Sequence, residues 1–245
     1  MSEQKVEATL VIPVHNEEGN LTPIVDEIRS AFAGWTYEIL FVNDGSTDGT
    51  AAELKLLKKR YPFVSLATHA ERCGKSTALV TGGRNAIYPW LATMDGDGQD
   101  DPRDVVSMLQ VAAKAQQEGT DLFLCICGHR QNRKDTTLKR ISSKVANSVR
   151  RRLLKDDTPD TACGLKAFRR DDFLVIPHFR NMHRFFPALF VRSGGRTVSV
   201  RVTNRPRQHG ITKYGFHNRL WVGIVDMFGV MWLLRRPANP RIVKE

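Results

Sequence analysis

Over roughly its first hundred residues the chain repeats one pattern: an apolar, β-branched run that stops abruptly in a polar tip. Ala8 to Val14 stops at His15-Asn16-Glu17-Glu18, and Tyr37 to Val42 at Asn43-Asp44-Gly45-Ser46-Thr47-Asp48. Trp90-Leu91-Ala92 stops at Asp95-Gly96-Asp97-Gly98-Gln99-Asp100-Asp101. Such runs read as buried strands. The stretches between them carry helical spacing: Leu21, Ile24, Val25, Ile28 and Phe32 after the first, Leu54 and Leu57 after the second, where Pro62 ends the helix. Phe63 to Ala67 supplies a further strand. Strands alternating with helices restrict the chain to an α/β fold with a mostly parallel, doubly wound sheet. Such sheets bind ligands beyond the carboxyl ends of their strands, so the tips at Glu17, Asp44 and Asp95 to Asp97 should meet at one edge.

The acidic tip has two readings. Asp95, Asp97, Asp100 and Asp101 repel one another unless a cation or a proton intervenes. Mg²⁺ or Mn²⁺ would relieve that repulsion, with Gln99 adding a neutral oxygen. Equally, Asp100 or Asp101 suits the N-cap of a helix with Pro102 at its first position. Both hold at once if the first two aspartates bind and the last two cap. Gly96 and Gly98 let the backbone turn sharply.

Gly74-Lys75-Ser76-Thr77 imitates the end of a phosphate-binding P-loop, but the glycine required five residues earlier is His69, so that motif fails. Lys75 either faces a nucleotide phosphate at the start of a helix (Thr77 to Ala86) or is a solvated lysine. A helix from Pro102 to about Gln117 and a strand from Asp121 to Cys127 follow. Cys125 and Cys127 then share one strand face as small hydrophobes. From Arg130 to Lys155 the chain is strongly basic, with Asp135 its only acid and a helical stripe at Leu138, Ile141, Val145, Val149 and Leu153. That face is either solvated or meets an anionic headgroup or phosphorylated acceptor. Asp160 to Arg170 reads as a turn into a short strand, Met182 to Val191 as a helix, and Arg196 to Val202 as a strand. Arg205 to Gly215 is a basic, glycine-containing loop suited to phosphate oxygens.

Leu220 to Leu234 is largely apolar but interrupted by Asp226, and too short to cross a bilayer. Trp221, Val225, Phe228 and Trp232 share one face, flanked by Arg219, Arg235 and Arg236. An interfacial helix and a helix packed on the protein's own core both fit this pattern. The 37 Lys plus Arg against 26 Asp plus Glu, a net +11, call for an anionic partner. Nucleic acid is set aside, because residues 129 to 155 interleave no aromatic side chain with the basic ones. Four unpaired-looking cysteines and a polar N-terminus suit a reduced, cytosolic protein.

Four separated motifs together resemble the inverting family 2 glycosyltransferases of GT-A fold, in particular the polyprenyl-phosphate type typified by dolichol-phosphate mannose synthase. They are Val11 to Glu18, Val42 to Asp48, Met94 to Asp100, and Arg207 to Gly215. The resemblance implies a Rossmann-like, mostly parallel central sheet flanked by helices. A catalytic domain would span 1–215, with a nucleotide-sugar half at 8–101 and an acceptor half at 102–215. A C-terminal amphipathic, membrane-associating segment would span 216–245.

By the same resemblance Pro13, His15, Glu17 and Asp44 hold the nucleotide. Asp95, Asp97 and Gln99 hold the divalent metal and donor diphosphate, Arg130 and Arg140 face the acceptor phosphate, and Arg207 and Lys213 close over the phosphates. The implied reaction moves a sugar from a nucleoside diphosphate, such as GDP-mannose, to polyprenyl phosphate at the cytosolic membrane face. The rival within the family uses a UDP-sugar or a saccharide hydroxyl acceptor. Position 15 is histidine where the mannose synthases usually have tyrosine, and Gly96 and Gly98 replace bulkier residues. The long hydrophobic C-terminal domain of some relatives is not seen, so membrane attachment falls to the terminal helix or to a small membrane-anchor protein.

Overall fold

The computed structural model describes residues 5–130, 153–154, 158–203, 205 and 216–236, with side chains in the last helix from residue 223. The elements in chain order are β1 (Ala8–Val14), α1 (Leu21–Ala31), β2 (Tyr37–Asp44), α2 (Thr50–Arg60), β3 (Val64–His69), α3 (Lys75–Asn85), β4 (Trp90–Thr93) and α4 (Pro102–Gln117). Then come β5 (Leu124–Arg130), β6 (Lys166–Arg169), α5 (Arg170–Val175), a 3-10 turn (Met182–Arg184), α6 (Phe186–Arg192), β7 (Arg196–Val202) and α7 (Phe216–Leu234).

One seven-stranded sheet runs in the order β3-β2-β1-β4-β6-β5-β7. Its pairs are parallel except those of β6, which lies antiparallel to β4 on one side and β5 on the other. The strand order reverses between β1 and β4, and the crevice at that switch opens beyond their carboxyl ends. Because side chains alternate along a strand, β1 feeds two layers. Leu10 and Ile12 pack with Ile24, Ile28, Met108 and Leu109 of α1 and α4. Val11 packs on the other face with Leu79, Phe168, Phe173, Phe186 and Phe190.

Helix α4 starts as expected: the Asp101 side chain accepts from the Arg103 N–H, and Pro102 occupies the first turn. The single helix expected over Met182 to Val191 is instead a 3-10 turn and a separate α-helix. Pro187 has no N–H to offer His183, so the ladder breaks and restarts with the proline in its first turn.

The last helix begins four residues before Leu220, at Phe216. Val230 is buried, and Met227, Met231, Leu233 and Leu234 pack on the same layer as α6. Asn181 donates to Asp226 at 3.0 Å, and Arg192 donates to the Leu233 carbonyl at 2.8 Å. The opposite side leaves Val225, Phe228 and Trp232 exposed, at 68%, 62% and 58%. The Trp221 side chain and the basic helix expected around Leu138 to Val149 lie outside the described residues. Among the described residues no helix is long and apolar enough to cross a membrane.

Candidate active site

The loops after β1, β2, β3 and β4 meet at the switch point. The His15 ring donates through Nδ1 to the Asp44 carbonyl at 2.8 Å, which ties the first tip to the second. The Asn16 N–H donates to Ser46, and the Glu17 N–H to Thr50 at 2.8 Å. Pro13 and Glu17 thus sit on a frame braced against the Asp44 loop.

Asp44 is buried and fully engaged. Its carboxylate accepts from His69 Nδ1 and from the N–H groups of Cys73 and Gly74, each at 2.8 Å. Burial pushes this carboxyl up, but those three bonds outweigh it and hold it below the ordinary range. Asp44, His69 and Cys73 could in principle gather an ion. Yet both His69 nitrogens are occupied, Nδ1 by Asp44 and Nε2 by Thr81 at 2.9 Å, so the group reads as a hydrogen-bonded clamp on the start of α3.

That clamp sets Lys75, whose ammonium contacts Asp95. Burial opposes the charge on both partners, and their mutual attraction prevails, so Lys75 is raised and Asp95 lowered. Asp100 accepts from the Asp95 N–H at 2.9 Å. Burial and the neighbouring Asp95 and Asp97 push the Asp100 carboxyl up to about 7. Asp97 accepts from the Gln99 N–H at 3.2 Å, and Gly98 makes the intervening turn with φ of 73°. Gln99 spends its amide nitrogen on the Arg205 carbonyl at 3.2 Å, and Oε1 meets no donor among the described residues. Asp95, Asp97 and Asp100 crowd negative charge here, with Lys75 paired to Asp95, and the all-oxygen donor set fits Mg²⁺ or Mn²⁺.

Behind Asp95 runs the segment 158–165. Thr93 donates to the Gly164 carbonyl at 2.6 Å, and a Cβ at Gly164 would lie 2.7 Å from the Asp95 carboxylate. Lys166 is 3% exposed, and its ammonium donates to the Cys163 carbonyl at 2.6 Å. Arg130, at the end of β5, pairs with the buried Asp160. Asp101 holds Arg103 and also Arg205, whose other end binds Glu27 at 2.6 Å.

Of the residues singled out in the sequence, Pro13, His15, Glu17, Asp44, Lys75, Asp95, Asp97 and Gln99 come together at this edge, and Arg130 ends β5, two strands beyond β4. Arg140, Arg207 and Lys213 lie outside the described residues. Asp160, Lys166, Ser76 and His183 belong to the site although the motifs gave them no role.

With this geometry in view, the family model for Glycosyl transferase family 2 matches residues 9–176, more than half of the chain. The chain belongs to that family. The chain is similar to a dodecaprenyl-phosphate galacturonate synthase of Rhizobium johnstonii, 33% identical over 97% of this chain and 70% of that protein. An undecaprenyl-phosphate 4-deoxy-4-formamido-L-arabinose transferase of Pectobacterium carotovorum is 28% identical over 85% of this chain. The chain spans only 62% of that relative's length. Both are named as polyprenyl-phosphate enzymes, the type that the four motifs resemble. The fold is shared with the mannosyltransferase PcManGT of Pyrobaculum calidifontis, solved with GDP-Man and Mn²⁺, at a TM-score of 0.65 and 20% identity over 97% of this chain and 66% of that one. Glucosyl-3-phosphoglycerate synthase of Mycobacterium tuberculosis, solved with Mn²⁺ and UDP, superposes at 0.68 with 17% identity over 96% and 81%. The mostly parallel sheet with flanking helices is therefore the GT-A architecture that the motifs implied.

Proposed function

We propose that this protein transfers a sugar, with inversion, from a nucleoside diphosphate to a polyprenyl phosphate. The observation that carries the reading is the edge where the Asp44 clamp, Lys75 and the Asp95-Asp97-Gln99 oxygens converge, in a chain whose relatives are named for lipid-phosphate acceptors. Those relatives carry galacturonate or a modified arabinose, so we favour a UDP-linked uronate or similar donor over the GDP-mannose suggested by the motifs.

Asp95, Asp97 and Gln99 would hold Mg²⁺ or Mn²⁺, which when bound offsets charge on the departing diphosphate. The loops at His15, Glu17 and Asp44 hold the nucleotide. A phosphate monoester has a second pKa of about 6, so the attacking oxygen is already ionised near neutral pH and needs no strong general base. Arg130, with Arg140, Arg207 and Lys213, would orient that phosphate for in-line attack.

The last helix favours work at a membrane surface: Val225, Phe228 and Trp232 form an exposed apolar stripe, and the Arg236 guanidinium lies 5.3 Å from the Trp232 ring. Contact from the cytosolic face, with or without a small anchor protein, completes the proposal. The test is to incubate the full chain with Mn²⁺, undecaprenyl phosphate and a panel containing UDP-galacturonate and GDP-mannose, and to follow lipid-phosphate sugar by mass spectrometry. Sugar appearing on a saccharide hydroxyl and never on the lipid would replace the acceptor.

A further inference from the structure

Ser76 and His183 are 107 residues apart in sequence and joined in the fold. His183 Nδ1 lies 2.8 Å from the Ser76 hydroxyl, and the His183 main-chain N–H points at the same oxygen at 3.3 Å. The buried Ser76 hydroxyl has no other acceptor among the described residues, so its proton goes to Nδ1 while its oxygen takes the main-chain N–H. Nδ1 is thereby fixed as an acceptor, and a neutral ring must then carry its proton on Nε2. Burial first, then the charges of Lys75, Arg184 and Lys166, keep the ring neutral, with its pKa down at about 3 against the opposing pull of Asp95. Nε2 has no protein partner among the described residues.

The position of this donor follows from Lys75. That residue precedes Ser76 and binds Asp95, and both Lys75 and Asp95 act electrostatically on the His183 ring, so the imidazole sits beside the Lys75–Asp95 pair, at the diphosphate end of the proposed site. The next group along a nucleoside diphosphate sugar is the sugar itself. We infer that His183 is a specificity residue that gives its Nε2–H to an oxygen of the donor sugar, with Ser76 as the positioning residue that fixes the tautomer. At the ring itself the positive charges of Lys75, Arg184 and Lys166 act against Asp95, which favours a carboxylated sugar over a neutral one there. This inference rests on the glycosyl-transfer reading.

The experiment is calorimetric titration of the full chain in Mn²⁺ with UDP, UDP-galactose and UDP-galacturonate, for wild type, His183→Phe and His183→Gln. UDP affinity should stay within about twofold in both variants, which also reports a native site. UDP-galacturonate should weaken about tenfold in His183→Phe, the size of one hydrogen bond to a charged group, and recover in part in His183→Gln, whose amide reaches the same place. An equal loss for UDP and UDP-galacturonate would put the contact on the diphosphate and overturn the assignment, as would no loss at all. Wild-type protein that binds none of the three, yet still binds GDP-mannose, would remove the UDP donor on which this inference rests; binding of no nucleotide at all would remove the glycosyl-transfer reading as well. In ¹⁵N-histidine spectra at neutral pH, His183 should be protonated on Nε2, and Ser76→Ala should release that preference. Protonation on Nδ1 in the wild type would refute the role given to Ser76.

Discussion

Arg130 grips Asp160 with two prongs, Nε at 2.8 Å from one carboxylate oxygen and Nη2 at 3.0 Å from the other. The arginine proposed to face the acceptor phosphate therefore arrives already oriented by a buried carboxylate. A guanidinium held this way keeps one edge for a second anion.

Asp160→Asn should raise KM for the lipid phosphate by tenfold or more in lipid-transfer assays, because Arg130 loses the partner that aims it. The same change should lower stability by about 3 kcal/mol in urea titrations, the usual cost of leaving one member of a buried pair uncompensated. Unchanged KM with lowered stability would confine Asp160 to a structural role.

Asp97→Ala should reduce turnover more than about a hundredfold, since it removes several kcal/mol of stabilisation from the leaving diphosphate. Its thermal transition should stay close to wild type, because Asp97 lies on a partly exposed loop. Near-normal turnover at saturating Mn²⁺ would count against the metal assignment.

Acid should loosen the anchor at Asp101. Burial raises that carboxyl, but hydrogen bonds from Arg103 and Arg205 outweigh it and bring it from 3.8 down to about 2. A carboxyl depressed in the folded state adds stability above its unfolded pKa and loses it as pH falls through the folded one. The contribution, about 2 kcal/mol, should be present in full above pH ~5 and fade between about 4 and 2. Asp101→Asn should abolish that part of the acid transition, read as the difference between the two proteins' denaturation midpoints across this window.

Trp232→Glu should prevent flotation with vesicles containing anionic lipid while leaving UDP binding intact. The exposed stripe is what such a surface would bury. Flotation equal to wild type would remove the membrane role of α7.

Much of this was legible in the sequence where structure is local. Ala8–Val14 and Arg196–Val202 have the boundaries their patterns give, and Pro102 with Asp101 announces α4. Strand β6 is harder to place: four residues with a lysine at their head reveal neither direction nor position in the sheet, and burial of Lys166 depends on the Thr161 and Cys163 carbonyls of its own turn, which accept from its ammonium. The strand expected to stop at Cys127 runs on to Arg130, and no local pattern announces the pairing of that arginine with Asp160, thirty residues away. Ser76 lay inside a sequence resembling a phosphate loop, and His183 inside an apparent helix. Their bond exists only because α3 and the 3-10 turn pack together, and no periodicity encodes a meeting of that kind.

The reversed strand β6 has a consequence for how the molecule comes apart. It is hydrogen-bonded on one edge to the nucleotide-side β4 and on the other to β5, so it works as a seam sewn through both halves of the sheet. Ripping either half away would strip a ladder from the other. The two halves should therefore melt in one cooperative step, and a chain cut near residue 101 should yield fragments that fold only when mixed.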